Sequence, residues 1–180
     1  MPTGEYDENP KELSLRALIA EDFATYERSL LEPGFWAVFV HRFGNWRMGI
    51  RPRLVRHPFT LLYKTMVLGL DWMWGIHLPY TVKLGRRVRI WYHGGIHLGA
   101  RSIGDDVHIR PNTTMGILSR DDKTAKPTIE DRVDIGVGAC ILGHLTVGHD
   151  TVIGANSVVV RDVPPNSTVF GVPARPVKLV

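Results

Sequence analysis

A six-residue spacing of aliphatic side chains runs through the second half of the chain. The residues at this spacing are Leu84, Ile90, Ile96, Ile103, Ile109, Met115, Ile129, Ile135, Ile141, Val147, Ile153 and Val159. An α-helix repeats every 3.6 residues and a strand every two, so neither produces a period of six. This period is typical of a parallel β-helix, in which three short strands make one coil and the aliphatic residues of successive coils stack. Twelve positions therefore predict a mainly β fold of about four coils.

Two interruptions of this spacing indicate where the coils are distorted. One is a single extra residue between Ile96 and Ile103, and the other is the polar segment 117–127 between Met115 and Ile129. A solenoid tolerates an insertion where the chain turns away from the stack. We therefore expect residues 117–127 to project as a loop. Long loops on rigid scaffolds often carry function, and a functional loop is favoured here over a plain surface excursion.

The first part of the chain has a helical pattern instead. Apolar residues recur at helical spacing over residues 13–28 and 34–48, with Ser14 as the N-cap of the first helix, and a third helix is predicted after Pro52. We divide the chain near Pro79. Residues 1–78 are predicted to form an N-terminal helical region, and residues 79–180 the β-helix domain.

The net charge of +4 is unevenly distributed. Asp71 is the only acidic residue between Gly34 and Ile90, against a block of basic residues: Arg42, Arg47, Arg51, Arg53, Arg56, Lys64, Lys83, Arg86, Arg87 and Arg89. Such a block can meet nucleic acid, an anionic membrane surface or a phosphorylated ligand, or can be a solvated face. Within it, residues 51–70 fit an amphipathic helix that either lies on a membrane or, as is commoner, packs on the protein. We expect no nucleic-acid partner.

Cysteine content and hydropathy narrow the expected location. Cys140 is the single cysteine, so no intramolecular disulfide can form, and no secretory leader pattern is seen at the N-terminus. The nearest approach to a long apolar run, residues 65–74, contains Asp71 and is too short to span a bilayer. We therefore expect a cytoplasmic protein without a membrane-spanning segment.

Two further stretches, together with the six-residue repeat, resemble the serine acetyltransferase family of hexapeptide acyltransferases. They are "PGFWAVFVHRFGNW" at residues 33–46 and "DVPPNSTVFGVPAR" at residues 162–175. The resemblance covers roughly residues 21–177. It implies a left-handed parallel β-helix behind an N-terminal helical region, and a homotrimer or dimer of trimers with active sites between adjacent subunits. It also implies acetyl-CoA as the acyl donor, with no metal.

In such a reaction an acceptor hydroxyl attacks a thioester, and a histidine removes the hydroxyl proton. The resemblance directs this role to the stretch "IWYHGG" at residues 90–95. An ungapped alignment places Tyr92 on the family's histidine, whereas a one-residue shift places His93 there. We predict His93 as the general base and Tyr92 as a wall or auxiliary hydrogen-bond donor. The alternative is that His93 is a solvated corner residue and catalysis is lost. His108 and His144 are reserve candidates.

The resemblance also indicates residues that would contact the donor. Small residues that match the family pattern along the CoA arm are Gly116, Gly138, Ala139, Ala155 and Asn156, and Arg175 and Lys178 would meet the CoA phosphates. For each of the small residues, a purely structural role in a turn is the alternative.

The acceptor site departs from the family. The carboxylate that pairs with the catalytic histidine falls at or near His77, and the Arg-His pair that grips the serine carboxylate is replaced by Ala125-Lys126. Lys126, with Arg120 and Lys123, can still hold an anionic group, but without the bidentate geometry of Arg. We therefore predict His77 and Lys126 as substrate-binding residues in a pocket no longer built for serine.

The favoured acceptor at this stage is a saccharide hydroxyl, as in the polysaccharide O-acetyltransferase branch that the Arg-Ile-x-x-His-Gly-Gly pattern resembles. The substrate would be an exopolysaccharide or capsule precursor carried on lipid at the inner face of the membrane, with peripheral contact through the basic helix. The alternative is acetylation of L-serine in cysteine biosynthesis. A third hypothesis is a non-catalytic trimeric binding protein.

Overall fold

Three helices precede the β region, as the apolar spacing predicts. The computed structural model describes residues 5–119, 121–122 and 124–177. The helices are α1 (Leu15–Thr25), α2 (Pro33–Trp46), which continues into a 3-10 turn at Arg47–Gly49, and α3 (Arg53–Trp74). Ser14 caps α1, because its hydroxyl accepts a hydrogen bond from the Ala17 amide at 3.3 Å. No helix among the described residues has the length and hydropathy needed to cross a membrane.

Short strands make up the rest of the described chain. In chain order they are β1 (Ile76–His77), β2 (Lys83–Leu84), β3 (Arg89–Ile90), β4 (Ile96–Leu98), β5 (Ser102–Ile103), β6 (His108–Ile109), β7 (Thr114–Gly116), β8 (Thr128–Ile129), β9 (Asp134–Ile135), β10 (Cys140–Leu142), β11 (Thr146–Val147), β12 (Val152–Ile153), β13 (Val158–Val159), β14 (Thr168–Phe170) and β15 (Arg175–Pro176). They form three sheets, in the orders β1-β4-β7-β10-β13, β2-β5-β8-β11 and β3-β6-β9-β12-β14-β15. Up to β13, every third strand falls in the same sheet, so the chain winds as a parallel β-helix.

The aliphatic residues of the six-residue repeat fill the interior of this β-helix. In the second sheet Leu84, Ile103, Ile129 and Val147 are in register, and in the third sheet Ile90 begins the corresponding row. All of these side chains are at most 1% exposed. Each coil therefore buries its apolar residues against the coils above and below, which is the main source of stability in a solenoid.

The structure differs from the prediction at the start of the repeat and at its single extra residue. The first sheet already begins with β1, where Ile76 pairs with Ile96, one strand before the first residue of the repeat. In β4 both Ile96 and Leu98 are buried, and Leu98 rather than Ile96 is in register with Met115. Within β4, Ile96 is therefore in register with the preceding strand of the sheet, and Leu98, two residues later, with the following one. This shift accommodates the extra residue. The division of the chain at residue 79 stays a prediction.

Side chains from the helices complete the first coil. The Tyr26 hydroxyl donates to the Val88 carbonyl at 3.2 Å and accepts from the Ile90 amide at 2.8 Å. Gly34 lies against the same strand, and a Cβ atom there would collide with the Ile90 carbonyl oxygen. At the other end of the β-helix, β15 runs antiparallel to β14. Buried side chains of the helical region and of the β-helix form one continuous core.

A buried ion pair joins two helices to the second sheet. Arg42 in α2 and Asp22 in α1 have side chains that are 0% and 1% exposed, and Arg42 Nε lies 3.0 Å from Asp22 Oδ2. The same guanidinium donates to the carbonyl oxygens of Leu84 at 2.9 Å and Gly85 at 2.5 Å. Burial raises the pKa of Asp22, and the adjacent Arg42 charge opposes this rise. One member of the predicted basic block is thus a structural cation.

His41 predicts a pH dependence of stability. Its ring is 1% exposed, its Nε2 lies 2.9 Å from the Val82 carbonyl oxygen, and burial lowers the pKa of His41 to about 3. The unfolded chain takes up this proton at about pH 6.5, so the free energy of unfolding falls as the pH drops below that value, by about 2 kcal/mol at about pH 5. Urea unfolding at about pH 7 and about pH 5 measures the difference. His41→Gln is expected to remove it and His57→Gln, at an exposed position, to retain it. If the free energy of unfolding fell equally between these two pH values in both variants, the assignment to His41 would be wrong.

Candidate active site

The stretch that carries the predicted general base forms an exposed corner between β3 and β4. Tyr92 has a positive φ of 61° and a side chain that is 67% exposed. His93 is exposed, and Gly94 and Gly95 also have positive φ angles, of 96° and 63°. The Gly94 amide donates to the Trp74 carbonyl at 2.8 Å, which fixes the corner to the end of α3. Left-handed backbone is uncommon for tyrosine. The corner thus presents both Tyr92 and His93 to solvent.

Two histidines and a carboxylate lie beside this corner. His77 Nδ1 is 3.1 Å from both carboxylate oxygens of Asp71, so it donates its proton to that group. His77 and His97 occupy paired positions of β1 and β4, and their rings are stacked 4.9 Å apart with an angle of 4°. We call Asp71, His77 and His97 the imidazole cluster.

Local structure positions each member of the imidazole cluster. Asp71 lies in the last turn of α3, and Gly75, with a φ of 62°, ends the helix so that β1 can start at Ile76. The Ile96 amide then donates to the Gly75 carbonyl at 2.9 Å, which places β4 beside β1. Because β4 follows Gly95 directly, the corner and the imidazole cluster lie on the same side of the β-helix.

The surroundings of His97, which is partly exposed, lower its pKa. Burial, followed by the neighbouring His77, lowers the pKa of His97, and the positive charge of Lys126 lowers it further, whereas Asp71 opposes these effects. A lowered pKa keeps the imidazole neutral, with a lone pair available. The structure thus pairs one predicted substrate-binding residue, His77, with His97, a histidine that the sequence analysis did not select.

The residues predicted for the CoA arm have different surroundings. Gly116 ends β7, and a Cβ atom built there meets nothing within 4 Å, so its surface is open. Ala155 and Asn156 are exposed in the turn between β12 and β13. A Cβ atom on Gly138, whose φ is 74°, would collide with the Asn156 side chain, so this glycine is required by the stacking of two turns.

Ala139 and Arg175 complete the set. The Ala139 side chain is 0% exposed and belongs to the core, so only its backbone can face a ligand. Arg175 is exposed in β15. Arg120, Lys123 and Lys178 lie outside the described residues. Within the described ranges, no group of three or more His, Cys, Asp or Glu side chains could hold a metal ion.

The sequence analysis missed Asp71 and His97 as site residues. Asp71 is the single acid of the basic block and lies six residues before His77, which was a usable signal. His97 had none, because nothing in the sequence sets it apart from the other histidines of the repeat region. Its contact with His77 depends on β1 being the first strand of the β-helix.

Comparison with known proteins identifies relatives along most of the chain, although no family model matches it. A serine acetyltransferase of Helicobacter pylori is 32% identical over 166 residues, which cover 90% of this chain and 93% of the relative. The enzymes of that name from Mycobacterium tuberculosis and Synechococcus elongatus are 38% and 34% identical over 79% and 81% of this chain. This chain spans only 60% and 57% of those two relatives.

Solved structures give the same result. Neisseria gonorrhoeae serine acetyltransferase in complex with serine superposes with a TM-score of 0.74 at 28% identity, covering 91% of this chain and 69% of that chain. The Brucella abortus enzyme in complex with coenzyme A superposes with a TM-score of 0.74 at 24% identity, over 97% of this chain and 78% of that one, and bears on the fold alone. The predicted left-handed parallel β-helix behind a helical region is confirmed.

These relatives contradict the predicted saccharide acceptor and the polysaccharide branch. The relatives described above are serine acetyltransferases, so the alternative acceptor, L-serine, has the better support. The prediction was wrong because it took the loss of Arg before Pro127 as loss of the serine pocket. In the structure, His77 lies within hydrogen-bond distance of a carboxylate, Asp71 in α3, which that interpretation did not consider.

Proposed function

Because the chain belongs to the serine acetyltransferase family of hexapeptide acyltransferases, we propose that it transfers the acetyl group of acetyl-CoA to the hydroxyl of L-serine, as in cysteine biosynthesis. The observation that carries the proposal is the match with the Helicobacter pylori enzyme over nearly the full length of both chains, 90% of this one and 93% of that one. We propose a cytoplasmic homotrimer or dimer of trimers, so that the exposed corner of one subunit meets an adjacent subunit.

Binding of serine requires groups for a carboxylate, an ammonium group and a hydroxyl. In the proposed site, Lys126 binds the carboxylate, since it is the cation in the Ala125-Lys126 pair that replaces the family's Arg-His pair before Pro127. His77 donates its Nδ1 proton to Asp71, and its Nε2 is the proposed acceptor for the ammonium group. Both contacts would orient the serine hydroxyl towards the corner that carries His93.

His93 is the proposed general base for the acetyl transfer. It accepts the hydroxyl proton as the serine oxygen attacks the thioester carbon, which forms a C–O bond and a tetrahedral intermediate. When the intermediate collapses, the C–S bond breaks and the departing CoA sulfur takes the proton from His93. Tyr92, at the same exposed corner, is a wall of the site or an auxiliary donor to the intermediate.

The proposed groove for acetyl-CoA runs along the outer surface of the coils. Gly116, Gly138 and the exposed turn at Ala155 and Asn156 allow a close approach of the CoA arm, and the backbone of Ala139 lies between them in sequence. Arg175 is the proposed partner of a CoA phosphate at the end of the β-helix.

Thioester consumption tests this function. With purified full-length protein and acetyl-CoA, the release of free thiol is expected to require L-serine and not to respond to saccharide acceptors. Gly116→Leu is expected to lose acetyl-CoA binding without loss of stability, because the added side chain enters open space above the groove. Gly136→Leu is the comparison for stability. Its Cβ atom would lie 2.5 Å from the Ala155 amide nitrogen, so this variant is expected to destabilise the fold, whereas Gly116→Leu is not.

The possible results separate the hypotheses. Failure of the protein to bind acetyl-CoA would contradict an enzyme and support a non-catalytic trimeric binding protein. Binding of acetyl-CoA without any stimulation by serine would contradict the acceptor alone. If a folded Gly116→Leu variant still bound acetyl-CoA, the proposed location of the CoA groove would be wrong.

A further inference from the structure

Helix α3 is apolar on two opposite sides. Its inner side packs on the core through Tyr63 and Leu70, which are 7% and 6% exposed. Its outer face consists of exposed apolar residues, namely Leu54, Val55, Leu61, Leu62, Leu68, Trp72 and Met73. A helix on the surface of a globular protein normally turns charged and polar residues to solvent. The outer face of α3 is therefore unlike an ordinary solvated surface.

The outer face of α3 is a continuous stripe. Leu54, Leu61 and Leu68 are seven residues apart and Trp72 follows four residues later, so the four side chains project along one line of the helix. Leu54 is 88% exposed and Trp72 is 82% exposed. An exposed apolar stripe of this length marks an interaction site.

Unpaired positive charge accompanies this stripe. Of the basic block, Arg42, Arg86, Arg87 and Arg89 are held in ion pairs, and Arg47 is buried, with its guanidinium over the rings of Tyr63 and Tyr80. The basic residues around α3 have no ion pair in the described part of the chain, and they are Arg51, Arg53, Arg56 and Lys64. The one acidic residue of the helix, Asp71, accepts a hydrogen bond from His77.

Helical spacing places the exposed basic residues beside the stripe. Arg53 and Lys64, with His57 between them, fall four and seven residues apart and border one side of the outer face. An apolar face bordered by basic side chains is the pattern of a helix that lies in the plane of a membrane surface, with its cations at the level of the lipid headgroups. Trp72 suits the same interface, since its ring is apolar and its N–H is polar.

We infer that the outer face of α3 docks on an anionic lipid surface, with the helix lying parallel to that surface. Charge complementarity selects this occupant over a second copy of the chain. If the outer faces of two copies were paired, the borders formed by Arg53 and Lys64 would approach each other with no carboxylate between them, because Asp71 is already bonded to His77. Anionic headgroups instead neutralise these charges while the lipid chains cover the apolar stripe.

Vesicle flotation tests the inference with the full-length protein. The protein is expected to float with vesicles of phosphatidylcholine and phosphatidylserine, to bind vesicles of phosphatidylcholine alone at least about tenfold more weakly, and to be released by high salt. Leu61→Ser with Trp72→Ser, and separately Arg53→Gln with Lys64→Gln, are each expected to lower binding about tenfold or more. Leu31→Ser, at a residue that is 92% exposed outside α3, is the control and should bind normally.

Other results would overturn the inference. These are absence of binding to anionic vesicles, and binding that the α3 variants leave unchanged. A smaller oligomer in the Leu61→Ser, Trp72→Ser variant than in the wild type, measured by light scattering, would show that a second copy covers the stripe. Acetyl transfer to soluble serine is expected to be unchanged in all of these variants, so the test is independent of the proposed activity.

Discussion

Replacing His93 with alanine is expected to lower kcat for acetyl transfer by about two to four orders of magnitude, the usual contribution of a general base. The expectation rests on the position of His93 at the exposed corner between β3 and β4, beside the imidazole cluster. Because the side chain is exposed and has no hydrogen bond to another described residue, its removal should leave the fold and acetyl-CoA binding intact. Steady-state kinetics combined with direct measurement of acetyl-CoA binding would show this separation.

Two variants at neighbouring positions make the test of the base specific. His97→Ala should raise KM for serine and change kcat less than His93→Ala does, because the His97 ring stacks on that of His77, a proposed substrate-binding residue. Tyr92→Phe should retain most of the activity. The assignment would be wrong if His93→Ala kept full activity, and a large loss of kcat in His97→Ala alone would transfer the role of the base to the imidazole cluster.

The second large effect concerns stability. Asp22→Ala is expected to reduce the free energy of unfolding by about 3 to 5 kcal/mol, because it leaves the buried Arg42 charge without its counter-ion. The guanidinium would keep only the Leu84 and Gly85 carbonyls as partners. Urea unfolding monitored by circular dichroism would measure the loss.

An exposed ion pair and a double variant provide the controls for this prediction. Arg132 and Asp150 have side chains that are 54% and 37% exposed, so Asp150→Ala should have little effect on unfolding. Asp22→Leu combined with Arg42→Met should be more stable than Asp22→Ala, since no charge is then left buried. A loss in Asp22→Ala no larger than that in Asp150→Ala would sink the idea that the buried pair is required.

Much of the fold was predictable because the residues of the six-residue repeat are the ones that stack in the interior of the β-helix. Each aliphatic residue at a six-residue spacing reached the interior, and the cap at Ser14 was identified correctly. The burial of Leu98 in addition to Ile96 was not predictable, since Leu98 lies outside the six-residue spacing. Nor could the pattern distinguish the buried Arg42 from the exposed Arg53, because the partner of Arg42 is supplied by a different helix.

The candidate site was predictable only in part, for a related reason. The residues at the corner are consecutive in the chain, so the stretch from Trp91 to Gly95 could be proposed from the sequence alone, and its catalytic role stays a prediction. The imidazole cluster combines residues of α3, β1 and β4, and its geometry depends on β1 being the first strand of the β-helix. The acceptor was mistaken because substitutions were judged one position at a time, without the compensating residue that a neighbouring helix supplies.

The contacts of Tyr26, His41 and Arg42 with the first coil have a consequence for how far the stack can grow. The first strands of a β-helix present unpaired backbone groups along an open edge, and such an edge can add strands from another molecule. Here three helical side chains take the hydrogen bonds that a preceding coil would have made, at Val82, Leu84, Val88 and Ile90. The helical region therefore occupies the edge at which another molecule could add strands to the first coil, and β15 covers the edge of the third sheet at the opposite end.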